Sequence, residues 1–303
     1  MPTLRKIEYG APTDKNADTV RLGIERGIFE QEGLDLSVKV VFGGPQIAAA
    51  YGSGELQIGE IGSPPAINAI AAGKPFKIIA SGCRQRAHMF FGVRKGIGSF
   101  EALKGKRLGL LGIGSCPDWI VRNILKHNGL EPDRDVTFVP LLDQYPRIIE
   151  IMEDGGIDAC IAMDPNLSIG EENGLLDVWA AGFDEPYLPH FQWEVRVART
   201  ELIENDPELV AAVMRGCRRS AHYAANHIGE WVTFVARQFD ISEPAAQSAV
   251  DREMPHFHLD CQIEMSGLQV AVDMQHELGG IEWPMKAGDF VDMRFQLDLS
   301  VPA

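Results

Sequence analysis

Within residues 40–80 the chain twice runs a strand-like segment into a glycine or serine turn and then into a helix led by proline. The stretch reads VVFGGPQIAAAYGSGELQIGEIGSPPAINAIAAGKPFKIIA. Its β-branched start ends at Gly43-Gly44, and an alanine-rich helical segment follows from Pro45. A short run over 56–61 ends at Gly62-Ser63-Pro64-Pro65 before a second small-residue helix, and 76–80 reads as a further strand. Proline suits the first helical position because the N–H it lacks has no partner there. The other amides at that helix end stay free at the positive end of the dipole, a geometry that holds anionic or strongly polar ligand groups. The pattern predicts an α/β fold and a binding crevice before any catalytic residue is considered.

The same texture extends on both sides. Residues 4–9 read as a first strand, and 19–31 as one helix with Val20, Ile24 and Ile28 on its apolar face and Gly33 at the stop position. Residues 36–42 form the next strand. Later come strands over 90–93, 107–111, 136–140 and 157–162, with helices over 99–103, from about Pro117, and over 145–152. Segments 178–181 and 193–198 are expected to complete a second lobe. Alternation of this kind indicates mainly parallel sheets flanked by helices. From Asp206 the pattern is helical. Asp206-Pro207-Glu208 is a strong start, with Asp as cap and Pro inside the first turn, and further helices follow over 228–239, 243–253 and 264–278.

The chain's 303 residues suffice for two lobes with a sizeable core. A net charge of −15 excludes nucleic acid as a natural partner, because phosphate binding needs basic surface. The cysteines Cys83, Cys116, Cys160, Cys217 and Cys261 are scattered and form no CxxC pair, so they read as free thiols. No stretch reaches the ~18 apolar residues of a membrane span, and residues 1–16 lack an apolar leader core. With Met1 as the natural start the expected location is the cytoplasm; with a leader removed it is the periplasm. His256-Phe257-His258 with Cys261 has a spacing that suits no zinc motif, and the glycine-rich 92–98 lacks the strand–GxGxxG–helix context. No metal or cofactor is therefore expected.

Taken together, several short motifs in order resemble the substrate-binding proteins of the SsuA/TauA/NMT1-like (THI5-like) kind. They are Gly43-Gly44, the 52–59 stretch GSGELQIG, Ala72-Gly73-Lys74-Pro75, Leu103-Lys104-Gly105-Lys106-Arg107, Gly155-Gly156-Ile157-Asp158-Ala159, Met163-Asp164-Pro165, Asn205-Asp206-Pro207 and Leu278-Gly279-Gly280-Ile281. The resemblance covers nearly the whole chain. It implies the type II periplasmic-binding fold: two α/β lobes, each a mainly parallel sheet flanked by helices, with the ligand in the cleft between them. Carried onto this sequence, lobe one is 1–92 plus 196–303 and lobe two is 93–195, with hinge strands near 88–93 and 191–197. It also implies a small-molecule ligand and an ABC permease as partner.

Loops at the C-terminal ends of parallel strands line the crevice of open α/β sheets. That rule, with side-chain chemistry, selects Asp14, Gly43, Gly44, Gln46, Ser63, Arg84, Arg86, Ser115, Cys116, Asp118, Trp119, Asp164, Asn166, Trp193 and Glu194 as ligand-binding residues. Arg84 and Arg86 offer forks for a carboxylate or sulfonate. Trp119 and Trp193 with Asp164 and Glu194 suit a nitrogen heterocycle, an amine or a planar aromatic acid. Two functions follow. One is the solute-binding component of an ABC importer. The other is a cytosolic enzyme on the same scaffold, such as an aromatic-acid decarboxylase or a desulfinase-like lyase. For the enzyme, Cys116 at a helix start is the expected low-pKa nucleophile and His88 the general acid. The desulfinases of this family place their cysteine after the first strand, where this chain has Gly10-Ala11-Pro12-Thr13, and the cysteine-clustered motif of the pyrimidine synthases is absent.

Overall fold

The strand–turn–helix steps fall where glycine and proline put them in the computed structural model, which describes residues 3–82, 89–181 and 190–296. In chain order the first elements are β1 (Arg5–Ala11), α1 (Asp18–Glu25), α2 (Ile28–Gln31), β2 (Leu34–Val40), α3 (Gly44–Ser53), β3 (Ile58–Gly62), α4 (Ser63–Ala71) and β4 (Phe76–Ser81). Next come β5 (Phe90–Arg94), β6 (Lys106–Leu110), α5 (Cys116–His127), α6 (Pro132–Asp135), β7 (Val136–Pro140), α7 (Ile148–Glu153), β8 (Ala159–Ala162), α8 (Asn166–Glu172) and β9 (Leu176–Ala181). The chain continues with β10 (Glu194–Arg199), α9 (Thr200–Asn205), α10 (Pro207–Asn226), α11 (Ile228–Phe239), α12 (Glu243–Glu253) and α13 (Met265–Glu277).

Two five-stranded sheets result, ordered β2-β1-β3-β10-β4 and β7-β6-β8-β5-β9. In the first, β1 pairs parallel with β2 and β3, while β10 pairs antiparallel with β3 and β4. Four strands therefore point one way and β10 the other. The second sheet repeats the plan, with β6 parallel to β7 and β8 and with β5 reversed between β8 and β9. Both sheets are mainly parallel, as the alternation of elements required.

The chain divides into two compact units. The first comprises Met1–Arg86, His190–Phe234 and His256–Ala303, and the second Ala87–Pro189 and Val235–Pro255. In the first, Tyr9, Val20, Phe29, Leu36, Ile58 and Ile79 form one core with Val210, Val213 and Met214 of α10. Each such fully buried apolar side chain contributes about 1.5–3 kcal/mol. The helices α1 and α10 approach so closely that a Cβ at Gly23 would lie 1.8 Å from Ser220 Oγ. In the second unit, α5 is capped by Ser115, carries Pro117 in its first turn, buries Ile120, Val121, Ile124 and Leu125, and ends on Lys126 and His127. That is a complete set of start, face and stop signals.

Four expectations change. The helix expected over 19–31 is broken at Gly27, whose φ of 68° ends α1 before α2 begins. The helix over 145–152 starts as a 3-10 turn, Leu142–Arg147, because Pro146 inside it has no N–H to give, and only α7 is α-helical. The segment over 193–198 does not complete the second lobe: it is β10, inserted between β3 and β4 of the first sheet. Residues 235–255, expected with lobe one, group with the second unit, where Arg252 pairs with Asp164 and Glu171 and Ser242 with Glu172.

Candidate functional site

Because β10 is reversed, its first residue lies at the same sheet edge as the C-terminal ends of β1, β3 and β4. That edge gathers the 12–17 loop, Gly43-Gly44, Gly62-Ser63, Ser81-Gly82 and Gln192–Glu194. Gly43 has φ 96° and caps α3; a Cβ on Gly44 would press to 2.8 Å from Pro65 Cγ, so the starts of α3 and α4 lie side by side. Only glycine meets both conditions. Gln46, in the first turn of α3, is exposed.

Ser63 is fully buried, and its polar atoms serve the protein: its N–H donates to the Trp193 carbonyl at 2.7 Å and its hydroxyl to the Gln192 carbonyl. Trp193 is half-buried, its ring 6.2 Å from that of Phe191. Glu194 is fully buried, and Asn16 donates to its carboxylate. The Glu194 carbonyl accepts from the Gly82 N–H at 2.9 Å and from Gln192 Nε2 at 2.7 Å. Nearby, buried Lys15 pairs with buried Asp18 at 2.7 Å at the start of α1. Asp14, half-exposed, is held by Arg21 at 2.7 Å.

Behind this edge lies a charged centre inside the sheet. Tyr9 donates to Glu60 at 3.1 Å and accepts from Arg196 Nε at 3.2 Å. Arg196 Nη1 also donates to the Ser81 carbonyl and approaches Cys261 Sγ, each at 3.1 Å, and Arg196 Nε lies 3.8 Å from Glu60. Burial, and then the Glu60 carboxylate, push the Tyr9 phenol well above its ordinary value, so it stays a donor.

The second unit's edge gathers Ser115, Cys116, Asp118 and Trp119 at α5, with Asp164 and Asn166 before and at the start of α8. Ser115 Oγ accepts from the Asp118 N–H at 3.4 Å and donates to the Gly112 carbonyl. Asp118 accepts from the Gly114 N–H at 2.8 Å and pairs with Arg122 at 2.7 Å. Asp164 accepts from the N–H and hydroxyl of Ser168 at 2.9 and 2.8 Å and is bridged by Arg252 Nη1 at 2.9 and 2.7 Å. Trp119 and Asn166 are half-buried. Cys116 corrects an expectation: burial pushes its thiol well above the ordinary value, opposite to the lowering expected at a helix N-terminus.

The structure thus brings Gly43, Gly44, Ser63, Trp193 and Glu194 together on one edge and Ser115, Cys116, Asp118, Trp119, Asp164 and Asn166 on the other. Of these, Asp118 and Asp164, like Asp14, are already engaged by arginines. Arg84, Arg86 and His88 lie outside the described residues. Among the described residues no group of three or more His, Cys, Asp or Glu side chains is placed to hold a metal ion. Sequence reasoning missed Lys15, Asp18, Glu60, Gln192 and Arg196. Its available signal was charge interrupting apolar strand runs, as in IGEIG and EVRVAR.

With this geometry in view, the chain can be set beside known proteins. The taurine-binding periplasmic protein of Escherichia coli (strain K12) is 30% identical over 186 residues, 60% of this chain and 55% of that protein, so the match spans little more than half the relative's length. The crystal structure of the periplasmic aliphatic sulphonate binding protein SsuA from Escherichia coli superposes with a TM-score of 0.77 at 18% identity, covering 98% of this chain and 94% of that one. The alkanesulfonate-binding protein SsuA from Xanthomonas axonopodis pv. citri, bound to MOPS, gives 0.75 at 18% identity, covering 96% and 99%. At such identity the likeness establishes the fold, the expected two-lobed periplasmic-binding type, and not the ligand. Among the described residues no helix is long and apolar enough to cross a membrane. The model of the family described as NMT1/THI5 like matches residues 18–230, from the start of α1 into α11, and so covers every described strand but β1. The chain belongs to the NMT1/THI5-like family.

Proposed function

We propose that this protein is the solute-binding component of an ABC importer, holding a small polar organic ligand (a carboxylate, a sulfonate or a nitrogen heterocycle) and presenting it to a permease from the periplasmic side. The observation that carries the reading is the first unit's edge, where strand ends and the proline-led starts of α3 and α4 meet the buried Glu194–Asn16 pair. Polar groups this deeply buried are kept because they are hydrogen-bonded and specify geometry. The names of the relatives, taurine- and sulfonate-binding proteins, support the same class of ligand. We assign ligand contact on this edge to Gly43, Gly44, Trp193 and Glu194. The raised thiol of Cys116 argues against nucleophilic chemistry.

The test is a thermal-shift panel of taurine, MOPS, benzoate and 4-aminopyrimidine, followed by mass spectrometry of each compound after incubation. A ligand at 100 times its Kd stabilises the folded state by about 2.7 kcal/mol. At least one member is expected to raise Tm and be recovered unchanged, and Glu194→Gln to change its Kd about tenfold. Chemical conversion of the bound compound, or a panel that leaves Tm unmoved, would overturn the reading.

A further inference from the structure

The geometry points to Gln192 as a positioning residue for the ligand edge, one that sets affinity without touching the ligand; the inference rests on the function proposed above. Gln192 is fully buried, immediately before Trp193 and Glu194. Its Nε2 donates to Ser81 Oγ at 2.9 Å and to the Glu194 carbonyl at 2.7 Å, and its Oε1 accepts the Glu264 N–H at 3.0 Å. Its backbone carbonyl accepts the Ser63 hydroxyl. One residue thus ties the end of β4, the start of β10, the start of α4 and the cap of α13. The last contact is tight: a Cβ on Gly267 of α13 would lie 2.9 Å from the Gln192 nitrogen.

The chemistry of the tie requires an amide. Two donors must meet a hydroxyl oxygen and a carbonyl while an acceptor on the same planar group meets an N–H. Glutamate has the reach but turns an oxygen toward the Glu194 carbonyl, methionine satisfies none of the three partners, and asparagine is one methylene short. The backbone so held is the part of the edge assigned to the ligand. Gly82 closes it from the other side: its N–H donates to the Glu194 carbonyl at 2.9 Å, and a Cβ there would lie 2.6 Å from Glu194 Cβ. Loosening Gln192 therefore shifts Trp193 and Glu194 relative to Ser63 and Gly82, and with them the ligand contacts.

The experiment compares Gln192→Met, Gln192→Glu and the milder Ser81→Ala with wild type by amide hydrogen exchange without ligand, and by Kd for whichever of taurine, MOPS, benzoate or 4-aminopyrimidine shifts the wild-type Tm. For Gln192→Met, exchange at Gly82 and Glu264 is expected to rise about tenfold, as for the loss of one buried hydrogen bond, with Kd weakened by a similar factor. Gln192→Glu is expected to keep protection at Glu264, since a carboxylate still accepts that N–H, yet to weaken Kd. Ser81→Ala shows the Gln192→Met pattern at smaller amplitude, which keeps the test open if Gln192→Met fails to fold. An exchange increase spread evenly over the first unit, or Kd values within twofold of wild type, would overturn the inference. Should no compound shift the wild type, the functional reading falls, and the exchange pattern alone decides on Gln192.

Discussion

The two sheets share one plan and differ at one position, the reversed fourth strand. In the first unit that strand is β10, EVRVAR, which buries Glu194 and Arg196; in the second it is β5, FFGVR, whose Phe90, Phe91 and Val93 are buried apolar side chains. The first sheet carries an ion pair in its interior, Arg196 with Glu60, bridged by Tyr9. In the second unit the buried carboxylates Asp118 and Asp164 flank helix starts instead, Asp118 in the first turn of α5, paired with Arg122, and Asp164 before α8, paired with Arg252. A shared fold thus leaves the placement of charge open. An ion pair inside a sheet is costly to desolvate and is weak evidence for stability. Its retention here, directly behind the edge proposed for the ligand, fits a role in fixing that edge.

The largest effect that can break this contrast is Arg196→Met. It removes the guanidinium beside the buried Glu60 carboxylate, a loss of about 3–5 kcal/mol in urea unfolding. The double variant Glu60→Gln/Arg196→Met is expected to recover more than half of that. A single-variant loss under about 1 kcal/mol would mean that the interior charge is not what sets the first sheet apart. Next comes Arg252→Ala in the second unit. It strips Asp164 of its bidentate partner but leaves both Ser168 bonds, for a loss of about 2 kcal/mol. The loosening should be confined to α8 and α12 in hydrogen exchange; spread into the first sheet would contradict the separation of the two charge sets.

The smallest effect concerns the thiols. Burial pushes Cys116 well up and Cys160 to about 12 from an ordinary value of 9.0. Their contribution to stability is therefore intact below the ordinary thiol value and is lost as pH rises past it, because the unfolded chain ionises first. At pH 8 the native protein should leave Cys116 unlabelled by iodoacetamide, while urea-unfolded chain reacts. Native labelling at Cys116 would show that the thiol is not buried at the start of α5.

Most of the fold was legible because its signals are local. Gly43, Gly62, Ser115 and Asp206, each followed within two residues by proline, mark helix starts that need no distant partner. The home of β10 was not legible, since a period of alternating residues says that a segment is a strand and nothing about which sheet receives it. The site was half legible for the same reason. Gly43 and Gly44 follow from the strand-end rule, and Glu194, at the start of a reversed strand, was chosen on its carboxylate alone; Arg196 reaches Tyr9 and Arg252 reaches Asp164 across separations of 187 and 88 residues. Charge within EVRVAR and DREM shows only that a partner is needed.

The position of β10 also orders events in time. All strands of the second sheet are made once the chain has reached Ala181, whereas the first sheet lacks its fourth strand until Arg199 has been synthesised. Until then β3 and β4 have no neighbour to join them, and the pairing that finally does so closes a long loop in sequence, which is slow. On a ribosome, where N-terminal segments emerge first, the interior sheet can therefore assemble while the older one still waits for its middle. A nascent chain stalled before Glu194 should hold a formed second sheet beside a first sheet split in two, with the open edges of β3 and β4 exposed to aggregation or to a chaperone.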